Sequence, residues 1–169
     1  IKIGLSQLDA ALGDLERGDV TVIAARPAVG KSALTTQIIE NMAKKGLKVA
    51  YFNLEIIDKQ VYERFISRLT GIGLTRIRRA KAFLGDEQEK FNRANEEMSN
   101  YQLWVASGTV SPREIKSECR HQSYDVIVVD YLQLLMPDNR YSGRNEEVAS
   151  ISRGLKSVAR DLNTHVIAL

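Results

Sequence analysis

The sequence predicts an α/β fold in which a mostly parallel sheet carries helices on its faces. Three observations predict it. Short apolar runs rich in β-branched residues recur along the chain, amphipathic helical stretches separate most of them, and the first run passes directly into a Gly-Lys-Ser segment that opens a helix. Ligands of such sheets gather at the carboxyl ends of the strands, so the residues that follow each apolar run are the first candidates for chemistry.

The first run, Asp19-Val20-Thr21-Val22-Ile23-Ala24-Ala25, has no helical period and reads as a strand buried on both faces. It leads into Ala25-Arg26-Pro27-Ala28-Val29-Gly30-Lys31-Ser32. Phosphate binding asks for a tight loop whose backbone N–H groups face a polyphosphate, a lysine that reaches the outer phosphates and a hydroxyl that can hold Mg²⁺. Gly30, Lys31 and Ser32 meet the second half of that requirement, while Ala25 stands where the first glycine of G-x-x-x-x-G-K-[ST] is usual. In the following helix Leu34, Ile38, Ile39 and Met42 share a face, Lys44 and Lys45 fill the last turn and Gly46 ends it, so its N-terminus faces the anion. A plain strand-to-helix turn with a solvated Lys31 is the alternative, made weaker by both flanking elements.

Lys48 to Asn53 is the second strand, and Glu55 projects just past it at the same edge. A carboxylate there can orient or deprotonate an attacking water; equally, it can be an acid favoured by the dipole of the next helix. That helix follows Asp58, with Tyr62, Phe65, Ile66 and Leu69 on one face. Residues 71 to 100 break the rhythm with a glycine pair, a basic cluster and a charged helix-prone segment, and read as a helical insertion. The cluster of Arg76, Arg78, Arg79 and Lys81 could meet phosphates of DNA or a neighbouring subunit, but a solvated helix face is the better reading.

Gln102 to Ala106 is a third strand, and Ser111-Pro112-Arg113-Glu114 starts a helix with a capping serine, a first-turn proline and a reciprocal glutamate. Asp125 to Asp130 then sets a carboxylate at the end of four apolar residues, where an unpartnered charge is costly. Beside a phosphate loop its partner is Mg²⁺, shared with Ser32; otherwise Asp130 caps a turn or pairs with an arginine. Val148, Ile151, Leu155, Val158, Ala159 and Leu162 stripe a helix from Glu146 to Leu162 and leave Arg153, Lys156 and Arg160 outside it, exposed or interfacial. Val166 to Leu169 is a possible fifth strand.

The 169 residues, 44% hydrophobic and 27% charged, suit one domain, and a formal charge of +3 permits a nucleic-acid partner without arguing for one. The lone Cys119 can form no internal disulfide, and Cys119, His121 and His165 lack metal-ligand spacing. With neither a signal peptide nor a long apolar span, the expected location is cytoplasmic, with no membrane partner. The start at Ile1 and the stop inside an apolar strand predict one ATPase domain, residues 1 to 169, incomplete at its C-terminal end and excised from a longer protein.

Taken together, these motifs resemble the motor domain of the bacterial replicative DNA helicases, the DnaB-like family within the RecA-like ATPases. The resemblance runs through Gly4-Leu5-Ser6-Gln7-Leu8-Asp9, the loop from Ala25 to Ser32 with the family's own alanine first, Leu54-Glu55, Asp130-Tyr131-Leu132-Gln133, Ile151-Ser152-Arg153-Gly154-Leu155-Lys156 and Val166-Ile167-Ala168-Leu169. It implies a RecA-like phosphate-loop ATPase core and a hexameric ring of identical subunits. Such a ring hydrolyses ATP or another NTP with Mg²⁺ to travel along single-stranded DNA and separate strands in replication, in company with a primase and a helicase loader. By family position Lys31 and Ser32 bind phosphate and metal, Asp130 completes the metal site and Glu55 becomes the base. Asn53 stands where the family often has serine, an exchange expected to matter little.

The DNA-binding loops and the arginine finger given to a neighbour's site are expected beyond Leu169. The chain alone should therefore bind nucleotide weakly, turn it over slowly if at all and not unwind DNA. Competing readings are a RecA-like recombinase or switch ATPase, and a nucleotide-binding assembly module without turnover; Glu55 and Asp130 together argue against the second.

Overall fold

The computed structural model describes every residue except 27–28, 80–81, 109, 131 and 138–142, together with all side chains of the described residues but that of Gln133. A five-stranded, wholly parallel sheet runs in the order β1-β5-β4-β2-β3, formed by β1 (Val20–Val22), β2 (Val49–Asn53), β3 (Leu103–Ser107), β4 (Val126–Asp130) and β5 (His165–Ala168). The expected α/β architecture is present, and each expected strand lies within a residue or two of its place apart from the first, which is shorter.

β2, β4 and β5 are buried along their whole length, which explains their unbroken apolar character. Side chains alternate across them. Ala50, Phe52, Ile127 and Val129 meet Ile115 of α6 (Pro112–Cys119) and Ile151, Leu155 and Val158 of α7 (Arg144–Asp161) on one face. Val49, Tyr51, Val126, Val128 and Ile167 meet Ile38, Ile39 and Met42 of α2 (Lys31–Lys44) and Val61 and Phe65 of α3 (Asp58–Thr70) on the other. Truncating a side chain as enclosed as Phe65 would cost about 3–5 kcal/mol.

β1 departs from expectation. It has three residues, none fully buried, and Val22 is 60% exposed. The reason is topological: among the described residues β1 pairs only with β5 and stands at one edge of the sheet. A short helix α1 (Ser6–Leu12) precedes it, with no buried residue to give it an apolar stripe. Asp9 accepts the backbone N–H groups of Ile3 (2.7 Å) and Gly4 (3.0 Å) and so fixes its entry.

The insertion between α3 and β3 holds α4 (Leu74–Arg79) and α5 (Glu87–Ser99). Two members of its basic cluster are paired, Arg76 donating to Glu87 at 2.7 Å and Arg78 to Glu63 at 2.8 Å, while Arg79 is exposed and Lys81 lies outside the described residues. Glu40, nearly buried on α2, pairs with Lys44 at 2.8 Å and with Arg68 of α3, and Lys44 reaches Glu97 of α5 at 3.0 Å. The insertion is thus tied to the helix that begins at Lys31. Before α6, Ser111 accepts the N–H of Glu114 at 3.3 Å and Glu114 accepts that of Ser111 at 2.7 Å, the capping box expected there.

Candidate nucleotide-binding and catalytic site

The loop from β1 to α2 places Ala25, Arg26, Val29 and Gly30 at the surface; Pro27 and Ala28 lie outside the described residues. Gly30 is the residue before α2 and has φ 96°, a left-handed conformation that a side chain makes costly. A Cβ there would meet nothing within 4 Å, so the backbone and not the space asks for glycine. No side chain caps α2. The positive end of the helix dipole, where an anion is favoured, lies at this loop. Thr35 and Thr36 donate to the carbonyls of Lys31 and Ser32, both at 2.9 Å, which bind down the turn carrying those two residues.

Two parallel strands bring the other components to the same edge. Asn53 ends β2 and Asp130 ends β4, paired in register, and the Leu54 N–H donates to the Asp130 carbonyl at 2.7 Å. Lys31 Nζ stands 3.9 Å from Asp130 Oδ1, an ion pair too long for a hydrogen bond. The other carboxylate oxygen, Oδ2, accepts a hydrogen bond from the Tyr51 hydroxyl at 3.3 Å. Asp130 is 1% exposed, and its Oδ1 has no hydrogen-bond partner among the described residues.

A buried carboxylate oxygen left in that condition beside a phosphate-type loop suits a hard cation. No cluster of three or more His, Cys, Asp or Glu side chains among the described residues could hold a metal unaided. Mg²⁺ commonly takes one or two protein oxygens and completes its shell with phosphates and water. Asp130 and the half-buried Ser32 are the oxygens available.

Burial pushes the Asp130 carboxyl above its ordinary value; the Lys31 charge opposes this, the Glu55 charge adds to it, and the Tyr51 hydrogen bond and the Arg64 charge pull back down. Burial, then the Asp130 charge, holds the Tyr51 phenol far above its usual range, so it remains a donor. Glu55 lies two residues past β2 with an exposed side chain, near enough for its charge to act on both Asp130 and Tyr51. Its turn is held by Asn53, which donates to the Ile56 carbonyl and accepts the Glu55 N–H at 3.4 Å. Asn53 is 1% exposed, and its side chain ties the turn to the end of β2, a role that the sequence does not announce.

The structure thus gathers Gly30, Lys31, Ser32, Glu55 and Asp130 at one sheet edge. Sequence reasoning does not mark Tyr51 or Arg64. The one available signal is a tyrosine and an asparagine alternating on one face of an otherwise apolar strand; for Arg64, half-buried on α3, there is none.

A family described as DnaB-like helicase C terminal domain matches residues 1–169. The chain is 32% identical to the replicative DNA helicase DnaB of Treponema pallidum and 33% to that of Geobacillus stearothermophilus, in both over its whole length. It spans 40% and 38% of those two proteins. Among solved structures it resembles a DnaB-like replicative helicase described with its interactions with primase, at a TM-score of 0.93 and 30% identity, covering all of this chain and 42% of that one. A second solved structure, described as an ATPase domain, superposes at 0.92 with 31% identity, covering all of this chain and 62% of that one. The RadB recombinase, at 0.57 and 22% identity over 99% of this chain and 68% of that one, shares the fold.

Proposed function

The chain belongs to the family of DnaB-like helicase C-terminal domains, and on that premise we propose that it is the nucleotide-hydrolysing motor of a replicative DNA helicase. The observation that carries the reading is the meeting of a loop lysine, a buried strand-end aspartate and an exposed glutamate at one edge of a parallel sheet.

The N-terminus of α2 and the Lys31 ammonium bind the phosphates of ATP or another NTP, together with the backbone from Ala25 through Arg26, Pro27, Ala28 and Val29 to Gly30. Ser32 and Asp130 would hold Mg²⁺, which would supply positive charge to the outer phosphates. Glu55 orients a water and accepts its proton; its exposed position and the turn fixed by Asn53 suit a group that must meet both solvent and substrate. Lys31 also offsets part of the cost of keeping Asp130 ionised in a buried place.

In the whole protein we read this domain as one of six identical subunits in a ring that travels along single-stranded DNA and parts the duplex. Primase and a helicase loader are its proposed protein partners and the cytoplasm its proposed location. No helix among the described residues is long and apolar enough to cross a membrane. A recombinase reading is not favoured, since the likeness to RadB is one of fold.

ATP turnover by the full-length protein, with and without single-stranded DNA over a salt series, tests the proposal. DNA stimulation that fades as salt rises is expected, because phosphate contacts are lost with added salt. Turnover indifferent to DNA would overturn the motor reading and leave a switch or assembly ATPase; no turnover would leave a binding module.

A further inference from the structure

We propose that Tyr51 is a positioning residue for Asp130, holding one carboxylate oxygen so that the other is presented to the metal and phosphates; this rests on the nucleotide and Mg²⁺ reading above.

Tyr51 sits in the middle of β2, 2% exposed, with Val49, Ala50, Phe52 and Asn53 also buried around it. A phenol enclosed in that way needs a partner for its O–H. In the parallel register Tyr51 lies opposite Val128, two residues before Asp130 and on the same face of the sheet. An aromatic side chain spans that diagonal distance, and here it does, donating to Oδ2 at 3.3 Å.

The two oxygens of Asp130 are consequently unlike. Oδ2 faces inward and is satisfied by Tyr51; Oδ1 is buried, lacks a hydrogen bond among the described residues and faces Lys31 at 3.9 Å. The oxygens of an ionised carboxylate are chemically equivalent, so what the bond to Tyr51 fixes is the plane of the group, with its second oxygen held toward Lys31 before any cation arrives. Groups that hold a metal ligand in this way typically change metal affinity about 10- to 100-fold when removed. Arg64, whose charge acts on both Tyr51 and Asp130, lies on the α3 side of the pair and opposes the build-up of negative charge there. If the hydroxyl merely satisfied itself, its removal would alter stability and leave the metal requirement alone.

Tyr51→Phe keeps the ring and removes the donor. In the full-length protein, binding of a fluorescent ADP analogue is titrated with MgCl₂ and repeated in EDTA, with thermal unfolding followed in parallel. The expected result is a Mg²⁺ half-saturation raised roughly tenfold, with metal-free nucleotide binding unchanged. Tyr51→Met, an unbranched apolar filler of the same space, serves the same comparison should the phenylalanine variant not fold. A folded variant with the wild-type Mg²⁺ requirement would overturn the positioning role while leaving the nucleotide reading standing. A wild-type protein whose nucleotide binding ignores Mg²⁺ would instead overturn the metal reading, and the positioning role with it.

Discussion

Asn53 and Asp130 lie opposite one another at the carboxyl ends of neighbouring parallel strands, and their pairing brings the Glu55 turn beside the buried carboxylate. Glu55 and Asp130 are 75 positions apart in the sequence, so strand register and nothing local aligns them. A slip of one residue in β2 would send Tyr51 and Asn53 to the opposite face and separate the two acids. Chemistry at this edge is thus a property of the sheet as a whole.

Replacing Glu55 with Gln should leave nucleotide affinity near the wild-type value and cut hydrolysis by roughly 10²- to 10⁴-fold, the usual worth of a positioned base. Single-turnover phosphate release alongside equilibrium binding separates the two. An unchanged rate would remove Glu55 from the chemistry.

Asp130→Asn should stabilise the nucleotide-free protein while weakening its response to Mg²⁺. The folded-state pKa of Asp130 is raised, so its contribution to stability is fully present below the unfolded value and is lost as pH rises through the folded one. At neutral pH the carboxylate is therefore an expense to the fold that an amide of the same shape avoids. A rise in unfolding temperature of about 2–4 °C would correspond to about 1 kcal/mol in a domain of this size. Scanning calorimetry without nucleotide checks the sign, and a fall would contradict it.

Gly30→Ala should destabilise through backbone strain alone. At φ 96° a Cβ costs on the order of 1–2 kcal/mol although nothing crowds it. Part of that strain can be relieved by shifting the first turn of α2, so nucleotide affinity should fall with the unfolding midpoint in urea. Equal stability in the two proteins would mean that the loop tolerates other conformations.

His165 predicts acid sensitivity remote from the site. It is 1% exposed, with Nδ1 2.6 Å from the Glu16 carbonyl and Nε2 3.0 Å from the Thr21 hydroxyl, an arrangement suited to the neutral ring donating through Nδ1. Burial lowers its pKa; the Glu16 bond and the Asp19 charge oppose this, and the charges of the Ile1 terminus and Lys156 add to it. A depressed histidine contributes stability that is complete above its ordinary value of 6.5 and lost as pH falls from there toward the folded value. Urea unfolding from pH 8 to 5.5 should show that decline, and His165→Asn should flatten it. The same slope in both proteins would assign the acid sensitivity elsewhere.

Much of this can be read along the chain because the signals are local. The Gly30-Lys31-Ser32 segment, the apolar run ending in Asp130 and the Ser111 capping box each declare themselves within a few residues. Strand order does not, so β1 reads as a strand buried on both faces although it stands at the edge of the described sheet. Arg76 and Arg78 read as open charge because their partners, Glu87 and Glu63, are supplied by α5 and α3 only once the helices pack. Tyr51 reads as one more core aromatic, since nothing in an apolar strand says which buried hydroxyl will face a carboxylate.

The edge position of β1 also sets an order of events in biosynthesis. β1 is made before the other strands of the described sheet, yet among the described residues its neighbour is β5, with Val20 waiting for Val166. Until that late segment leaves the ribosome, β2, β3 and β4 can assemble while the strand feeding the phosphate loop has no edge to join. Long-range pairings of this kind are slow to close. A nascent chain stalled before His165 should accordingly hold a partly built sheet whose phosphate loop is not yet anchored, so ligand capture must wait for the strand that pairs with β1.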